Sequence, residues 1–160
     1  MVGFGYDSHK LVTGRKLLLG GVLIDSEFGA LAHSDGDTLL HALCDALLGA
    51  AGLGDIGEHF PDSDSQFKDA DSKIFINRII DIIGKKSMRI VNIDVTILLE
   101  KPKLKDYKQV ILQSVAELCN ISFDRVNIKA KTNERMGFVG SSEGIVVYCI
   151  CEIQLKGSGL

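Results

Sequence analysis

A chain of 160 residues, 46% of them hydrophobic and with a net charge of -3, has the size and apolar content of one ordinary domain that builds its own core. The slight acidity excludes a general nucleic-acid or membrane-surface binder, although Lys101, Lys103, Lys105 and Lys108 form a local basic cluster better suited to a phosphate than to a polymer. No stretch approaches the ~20 apolar residues of a membrane span, the start MVGFGYDSHK lacks a signal-peptide shape, and Cys44, Cys119, Cys149 and Cys151 form no CxxC pair, so a cytoplasmic chain with four packed thiols is expected.

Met1 to Leu11 reads as a strand. Its period of two puts Gly3, Gly5, Asp7 and His9 on one side and Val2, Phe4, Tyr6 and Ser8 on the other, so Asp7 and His9 project together, with the glycines leaving room for something to approach. Lys16 to Ile24 is expected to be a peripheral hairpin turning at Gly20-Gly21, and Phe28 to His33 leads into a helix. Ser34 is the expected N-cap of that helix and Asp37 its N3 acid, a capping-box-like start near Asp35. Leu39, Leu40, Leu43, Ala46, Leu47 and Ala50 recur at helical spacing, and Gly52 and Gly54 end the run. Asp37, His41 and Asp45 stand four residues apart beside this apolar stripe, which makes His41 half-buried and flanked by carboxylates. A core histidine between two solvating acids fits that description as well as a functional one.

Asp55 to Asp64 reads as a polar, acidic loop able to accept hydrogen bonds from hydroxyls. Ser72 or Asp71 caps a second expected helix to about Lys86, with an apolar face that includes Ile74, Phe75, Ile79, Ile82 and Ile83. Arg89 to Leu99 is a strand with Ile90 out of phase, broken at Pro102 in EKPKLK. Asp106 is the expected cap of a third helix through about Leu118, and Val126 to Thr132 is another strand. A glycine-punctuated loop from Thr132 to Gly140 precedes the final strand, Gly144 to Leu155. Its odd positions are wholly apolar, while its even face carries Val146, Tyr148 and Ile150 beside Glu152 and Gln154. That second face is too apolar for water and too polar for a core, as expected of a subunit contact around a partly polar axis.

Asp7 and His9 from a strand and His41 from a helix make a two-histidine, one-carboxylate set suited to zinc with an open fourth position. Non-haem iron uses similar ligands, but nothing else in the chain suggests oxygen chemistry. His33, Ser34, the acidic loop and the Thr132-Asn133-Glu134 segment add groups suited to phosphates, hydroxyls and a second, harder cation.

Five blocks of residues resemble the 2-C-methyl-D-erythritol 2,4-cyclodiphosphate synthase family of non-mevalonate isoprenoid synthesis. They are G-x-G-x-D-x-H at Gly3 to His9, A-H-S-D-G-D-x-x-x-H-A-L at Ala32 to Leu43, and D-A-L-L-G-A-A-x-L-G-D-I-G-x-x-F-P-D-x-D at Asp45 to Asp64. D-V-T-I at Asp94 to Ile97 with P-K-L at Pro102 to Leu104, and K-A-x-T-x-E-x-x-G-F-x-G-x-x-E-G at Lys129 to Gly144, complete the match from Val2 to about Leu155. The resemblance implies an α+β two-layer sandwich over residues 1–156, with a mixed four-stranded sheet, helices on one face and a flexible tail at 157–160. It also implies a homotrimer with sheets toward the axis and active sites between subunits. The implied reaction turns 4-diphosphocytidyl-2-C-methyl-D-erythritol 2-phosphate into the 2,4-cyclodiphosphate and CMP.

On the matching residues, the resemblance gives zinc to Asp7, His9 and His41, and a second divalent cation, magnesium or manganese, to Glu134. His33 and Thr132 would stabilise the transition state. Ser34 with Phe60, Pro61, Asp62, Ser63 and Asp64 would hold the methylerythritol phosphate, and Asp55 and Gly57 the ribose. Leu99, Pro102, Lys103, Leu104 and Lys105 would hold the cytosine and a neighbouring phosphate, Lys131 and Asn133 would line the diphosphate, and Phe138 joins the substrate-binding set. The chain departs from the family at Ser141, where many members carry an arginine, so an isoprenoid diphosphate is expected to bind weakly at the trimer axis. Two other readings share the metal set: a zinc phosphohydrolase using water as nucleophile, and a non-catalytic nucleotide-binding trimer with structural zinc.

Overall fold

In the computed structural model, which describes residues 1–61 and 63–157, the N-terminal alternation becomes strand β1 (Val2–Thr13). The chain continues as a hairpin of β2 (Leu17–Leu19) and β3 (Val22–Ile24), then β4 (Phe28–Leu31), α1 (Thr38–Ala51) and a single turn, α2 (Ile56–His59). After α3 (Ser72–Lys85) come β5 (Met88–Leu98), α4 (Lys108–Cys119), β6 (Val126–Lys131), the short α5 (Gly137–Gly140) and β7 (Gly144–Leu155). Asp62 and residues 158–160 of the expected tail lie outside the described residues.

Among the described residues the expected four-stranded sheet has five strands, in the order β4-β1-β7-β5-β6, antiparallel except for the β5–β6 pair. The added strand is Phe28–Leu31, expected only to lead into the helix. It pairs with Lys10 to Thr13 of β1, which gives its extended backbone the hydrogen-bond partners that a loose lead-in would lack. The out-of-phase Ile90 corresponds to a break in the β5–β7 register between Ile90 and Asn92. On β7, Ile145, Val147, Cys149, Cys151 and Ile153 are buried, while Tyr148 and Ile150 on the opposite face are exposed. All four cysteines are free and buried, and burial pushes the Cys119 and Cys151 thiols up to about 12, which suits packing and not reactivity.

The approach of α1 to the sheet positions the site. A Cβ on Gly3 would stand 1.9 Å from the Ala46 carbonyl oxygen, and one on Gly5 would stand 1.9 Å from that of Ala42. Only a glycine face admits the helix so closely. The room expected beside Asp7 and His9 is therefore filled by the helix that carries His41.

The start of α1 differs from the expectation. Asp37, not Ser34, is the N-cap: Oδ1 accepts the Leu40 N–H at 3.0 Å and the Gly20 N–H at 2.9 Å, and Oδ2 accepts the Gly21 N–H at 2.6 Å. The hairpin is consequently not peripheral. Its turn donates to the fully buried Asp37, and Leu17, Leu19 and Ile24 join the core. The third helix has Tyr107, not Asp106, at its N-cap, with no side-chain cap hydrogen bond.

Candidate active site

Three side chains from β1 and α1 converge. One ligand atom from each of Asp7, His9 and His41 lies within 4.8 Å of the others. Asp7 Oδ2 is 2.9 Å from Nδ1 of His9 and 3.4 Å from Nδ1 of His41, yet this buried oxygen makes no aligned hydrogen bond to either. Two imidazole nitrogens and a buried carboxylate oxygen gathered this closely, the oxygen lacking an aligned partner, are what a shared divalent cation requires, so the donor set fits one. Burial opposes ionisation of Asp7, but the imidazoles of His41 and His9 outweigh it and hold its pKa below the usual aspartate value. Burial likewise opposes protonation of His41, and Asp7 outweighs it, so the His41 pKa is raised.

The acids expected to flank His41 do not reach its ring. Asp37 is engaged by three N–H groups at the helix start, and Asp45 Oδ1 accepts the Ile56 N–H at 2.8 Å. The carboxylate beside His41 is Asp7, brought by the strand. Helical spacing alone could not reveal this, because the decisive contact joins residues 34 positions apart in the chain.

The cluster opens into a cleft of about 410 Å³. Among the residues expected to bind substrate, His33, Ser34, Gly57, Phe60 and Pro61 line this cleft, joined by Ala32, Ile56, Phe67 and Phe75. Of the aromatic wall only Phe60 was expected in the site; Phe67 and Phe75 were not. Phe60 lies 4.6 Å from Phe75 and 5.4 Å from Phe67, centroid to centroid, and the signal for Phe75 was its place on the apolar face of α3. His33 Nε2 is buried without a partner, which leaves a polar atom for a ligand. Asp55 caps α2 through the Glu58 N–H at 3.0 Å, and Asp64 caps the turn Ser65–Phe67 through the Gln66 N–H at 3.0 Å; Ser63 is exposed.

A second cleft, about 270 Å³, gathers Leu99, Lys103, Leu104, Lys105, Lys131 and Thr132 with Lys108 and Ala130. Among the described residues no carboxylate lines it. Pro102, in a cis peptide with Lys101, lies in the segment bordering it. Beside it, Thr132 Oγ1 donates to Glu134 Oε1 at 2.7 Å, and Glu100 Oε2 accepts the Asn133 N–H at 3.0 Å. Phe138 is exposed on α5, and Ser141 Oγ donates to Glu143 Oε1 at 2.8 Å. The two clefts share no lining residue, so one chain does not bring Thr132 and Lys131 into the cleft of His41 and His33.

The YgbB family model matches residues 1–154. The chain is 49% identical over 155 residues, 97% of each chain, to a protein of Fusobacterium nucleatum subsp. nucleatum named 2-C-methyl-D-erythritol 2,4-cyclodiphosphate synthase. Its structure resembles that of the bifunctional IspDF of Campylobacter jejuni, with TM-score 0.92 and 42% identity, covering 96% of this chain and 42% of that one. It also resembles a 2C-methyl-D-erythritol-2,4-cyclodiphosphate synthase in a CDP-bound form, with TM-score 0.89 and 35% identity, covering 96% of this chain and all 100% of that one.

Proposed function

The chain belongs to the YgbB family, and on that premise we propose that it converts 4-diphosphocytidyl-2-C-methyl-D-erythritol 2-phosphate into 2-C-methyl-D-erythritol 2,4-cyclodiphosphate and CMP. The observation that carries this reading is the convergence of Asp7, His9 and His41 at a cleft that also holds the unpartnered His33 Nε2. Two imidazoles and one carboxylate would hold zinc, which would supply charge neutralisation for the phosphates.

In this intramolecular transfer the 2-phosphate oxygen bonds to the β-phosphorus, and the bond from that phosphorus to the CMP oxygen breaks. The protein's task is positioning and charge balance. His33 directs Nε2 at the phosphates, and Ser34 with the Phe60–Asp64 segment holds the methylerythritol phosphate. Asp55 and Gly57 take the ribose. Leu99 and Pro102–Lys105 hold the cytosine and a neighbouring phosphate, Lys131, Thr132 and Asn133 line the diphosphate, and Phe138 closes the substrate set. Glu134, whose Oε1 accepts the Thr132 hydroxyl, would hold a second cation, magnesium or manganese, through its carboxylate.

We read the complete site as forming between subunits of a homotrimer whose sheets face the axis, a reading that the separation of the two clefts on one chain supports. The exposed Phe4, Tyr6, Tyr148 and Ile150 on the sheet face away from the helices support that assembly. Each domain, residues 1–156, contributes half of two sites.

Turnover of the diphosphocytidyl substrate in ¹⁸O-labelled water tests the reaction. Expected is stoichiometric CMP with a cyclic product free of solvent oxygen. A solvent-labelled linear phosphate would mean that water is the nucleophile and would refute cyclisation. Absence of turnover by zinc-loaded trimers would leave the non-catalytic binding reading.

A further inference from the structure

His41 has two ring nitrogens, and only one faces the cluster. Nδ1 turns to Asp7 Oδ2 at 3.4 Å; Nε2 points toward the start of α3, 3.0 Å from Ser72 Oγ and 3.2 Å from Ser34 Oγ. A neutral imidazole carries one N–H, so a ring that gives its Nδ1 lone pair to a cation must keep its proton on Nε2 and donate it.

Ser72 is placed to receive that proton. It is fully buried, its hydroxyl donates to Asp35 Oδ1 at 2.5 Å, and its lone pairs are thereby left for His41. Capping of α3 falls to Asp71, whose side chain accepts the Lys73 N–H at 2.8 Å, so the Ser72 hydroxyl has no duty at the helix end. Asp35 is itself held, taking the Ser72 N–H on Oδ2 at 3.0 Å and the Asp37 N–H on Oδ1 at 3.1 Å. Ser34 is the weaker acceptor: its Oγ already takes the Gly36 N–H at 3.3 Å, and among the described residues no carboxylate receives its proton.

We propose that Ser72 and Asp35 are positioning residues for the metal centre. The relay from His41 Nε2–H to the Ser72 hydroxyl to the Asp35 carboxylate holds the imidazole in the tautomer that frees Nδ1 for a cation. It also locks the ring's rotation and makes the ligand more basic. The inference rests on cation binding at Asp7, His9 and His41 as read above. It gives the aspartate of the loop before α1 and the first serine of α3 a shared task, although neither touches the cation's ligand atoms.

The test is competition for zinc between the full-length protein and a chromophoric chelator, with Ser72→Ala, Ser72→Thr, Asp35→Asn and the double variant Ser72→Ala/Asp35→Asn. Ser72→Ala and Asp35→Asn should each weaken zinc binding roughly 10- to 100-fold. The double variant should bind no more weakly than Ser72→Ala, because Asp35 acts through that hydroxyl, and Ser72→Thr should recover most of the affinity. Imidazole ¹⁵N spectra of the metal-free Ser72→Ala protein should show His41 losing its predominant Nε2–H form. A serine that served only packing would shift thermal stability and leave the affinity of the folded protein and the tautomer alone. Zinc affinities within about twofold of wild type in both single variants would overturn the relay while leaving the metal reading standing. A wild-type protein that binds zinc no better than His41→Ala would overturn both.

Discussion

Replacing Gly5 with alanine perturbs the metal centre without touching a ligand. The new Cβ would stand 1.9 Å from the Ala42 carbonyl oxygen, where ordinary contact begins at 3.4 Å, so α1 must retreat by about 1.5 Å or the strand must bend. The obstacle is helix backbone and cannot be relieved by a side-chain rotation. Overpacking of this kind costs about 1–3 kcal/mol and occasionally more. His41 precedes Ala42 on the same helix and moves with it, and a displacement of that size far exceeds the roughly 0.2 Å tolerance of a metal–ligand distance. Zinc affinity should therefore fall by more than the roughly 100-fold upper range typical of an outer-shell change. Gly49→Ala on the same helix is the control: its nearest obstacle is the Phe4 carbonyl oxygen at 3.9 Å, and the substitution should stabilise by about 0.5–1 kcal/mol with zinc binding unchanged. Urea denaturation of the metal-free proteins and chelator competition read both quantities. A Gly5→Ala protein with wild-type stability and wild-type zinc affinity would refute the claim that glycine-admitted helix packing sets the ligand geometry.

Zinc binding should weaken on acidification, because a proton on His41 competes for the ring and its pKa is raised, so the loss begins at a higher pH than for an ordinary histidine; Asp7, with its pKa lowered, stays ionised throughout. Chelator competition between about pH 8 and pH 6 should show affinity falling by up to about tenfold per pH unit for each imidazole that must lose a proton, and an onset no higher than that of an ordinary histidine would contradict the shift. Asp37→Ala orphans three backbone N–H groups at the junction of hairpin and helix, each worth about 1–3 kcal/mol when buried, so a loss of at least about 3 kcal/mol is expected by urea denaturation. Light scattering should give about 52 kDa, three copies of 17.4 kDa, and Ile150→Glu on the exposed sheet face should lower that mass; a wild-type monomer at micromolar concentration would exclude the trimer. Ser141→Arg should tighten binding of an isoprenoid diphosphate, read by calorimetry, since the present hydroxyl is occupied with Glu143 and carries no charge.

Periodicity in the sequence was enough to identify the long elements, because β1 and β5 repeat with a period of two, β7 is a long apolar run whose odd positions are wholly apolar, and α1 carries an uninterrupted apolar stripe. The residue types of the candidate metal site were legible too, since D-x-H on a strand puts two potential ligands on one side without tertiary information. What the sequence by itself could not determine was which distant groups meet. Several of its polar residues compete for the same local role, and only packing decides among them. Ser34 looked like the cap of α1, yet the turn at Gly20-Gly21 and the Leu40 N–H claim Asp37 for that task, leaving Ser34 to face His41. Phe28–Leu31 became a strand only because Lys10–Thr13 offered an open edge. The pairing of His41 with Asp7 on one side and Ser72 on the other joins residues 34 and 31 positions apart, and it depends on two glycines letting a helix rest on bare backbone. Side-chain chemistry can be read along a chain; the distances that turn it into a site come from close packing between elements, which one-dimensional patterns do not encode.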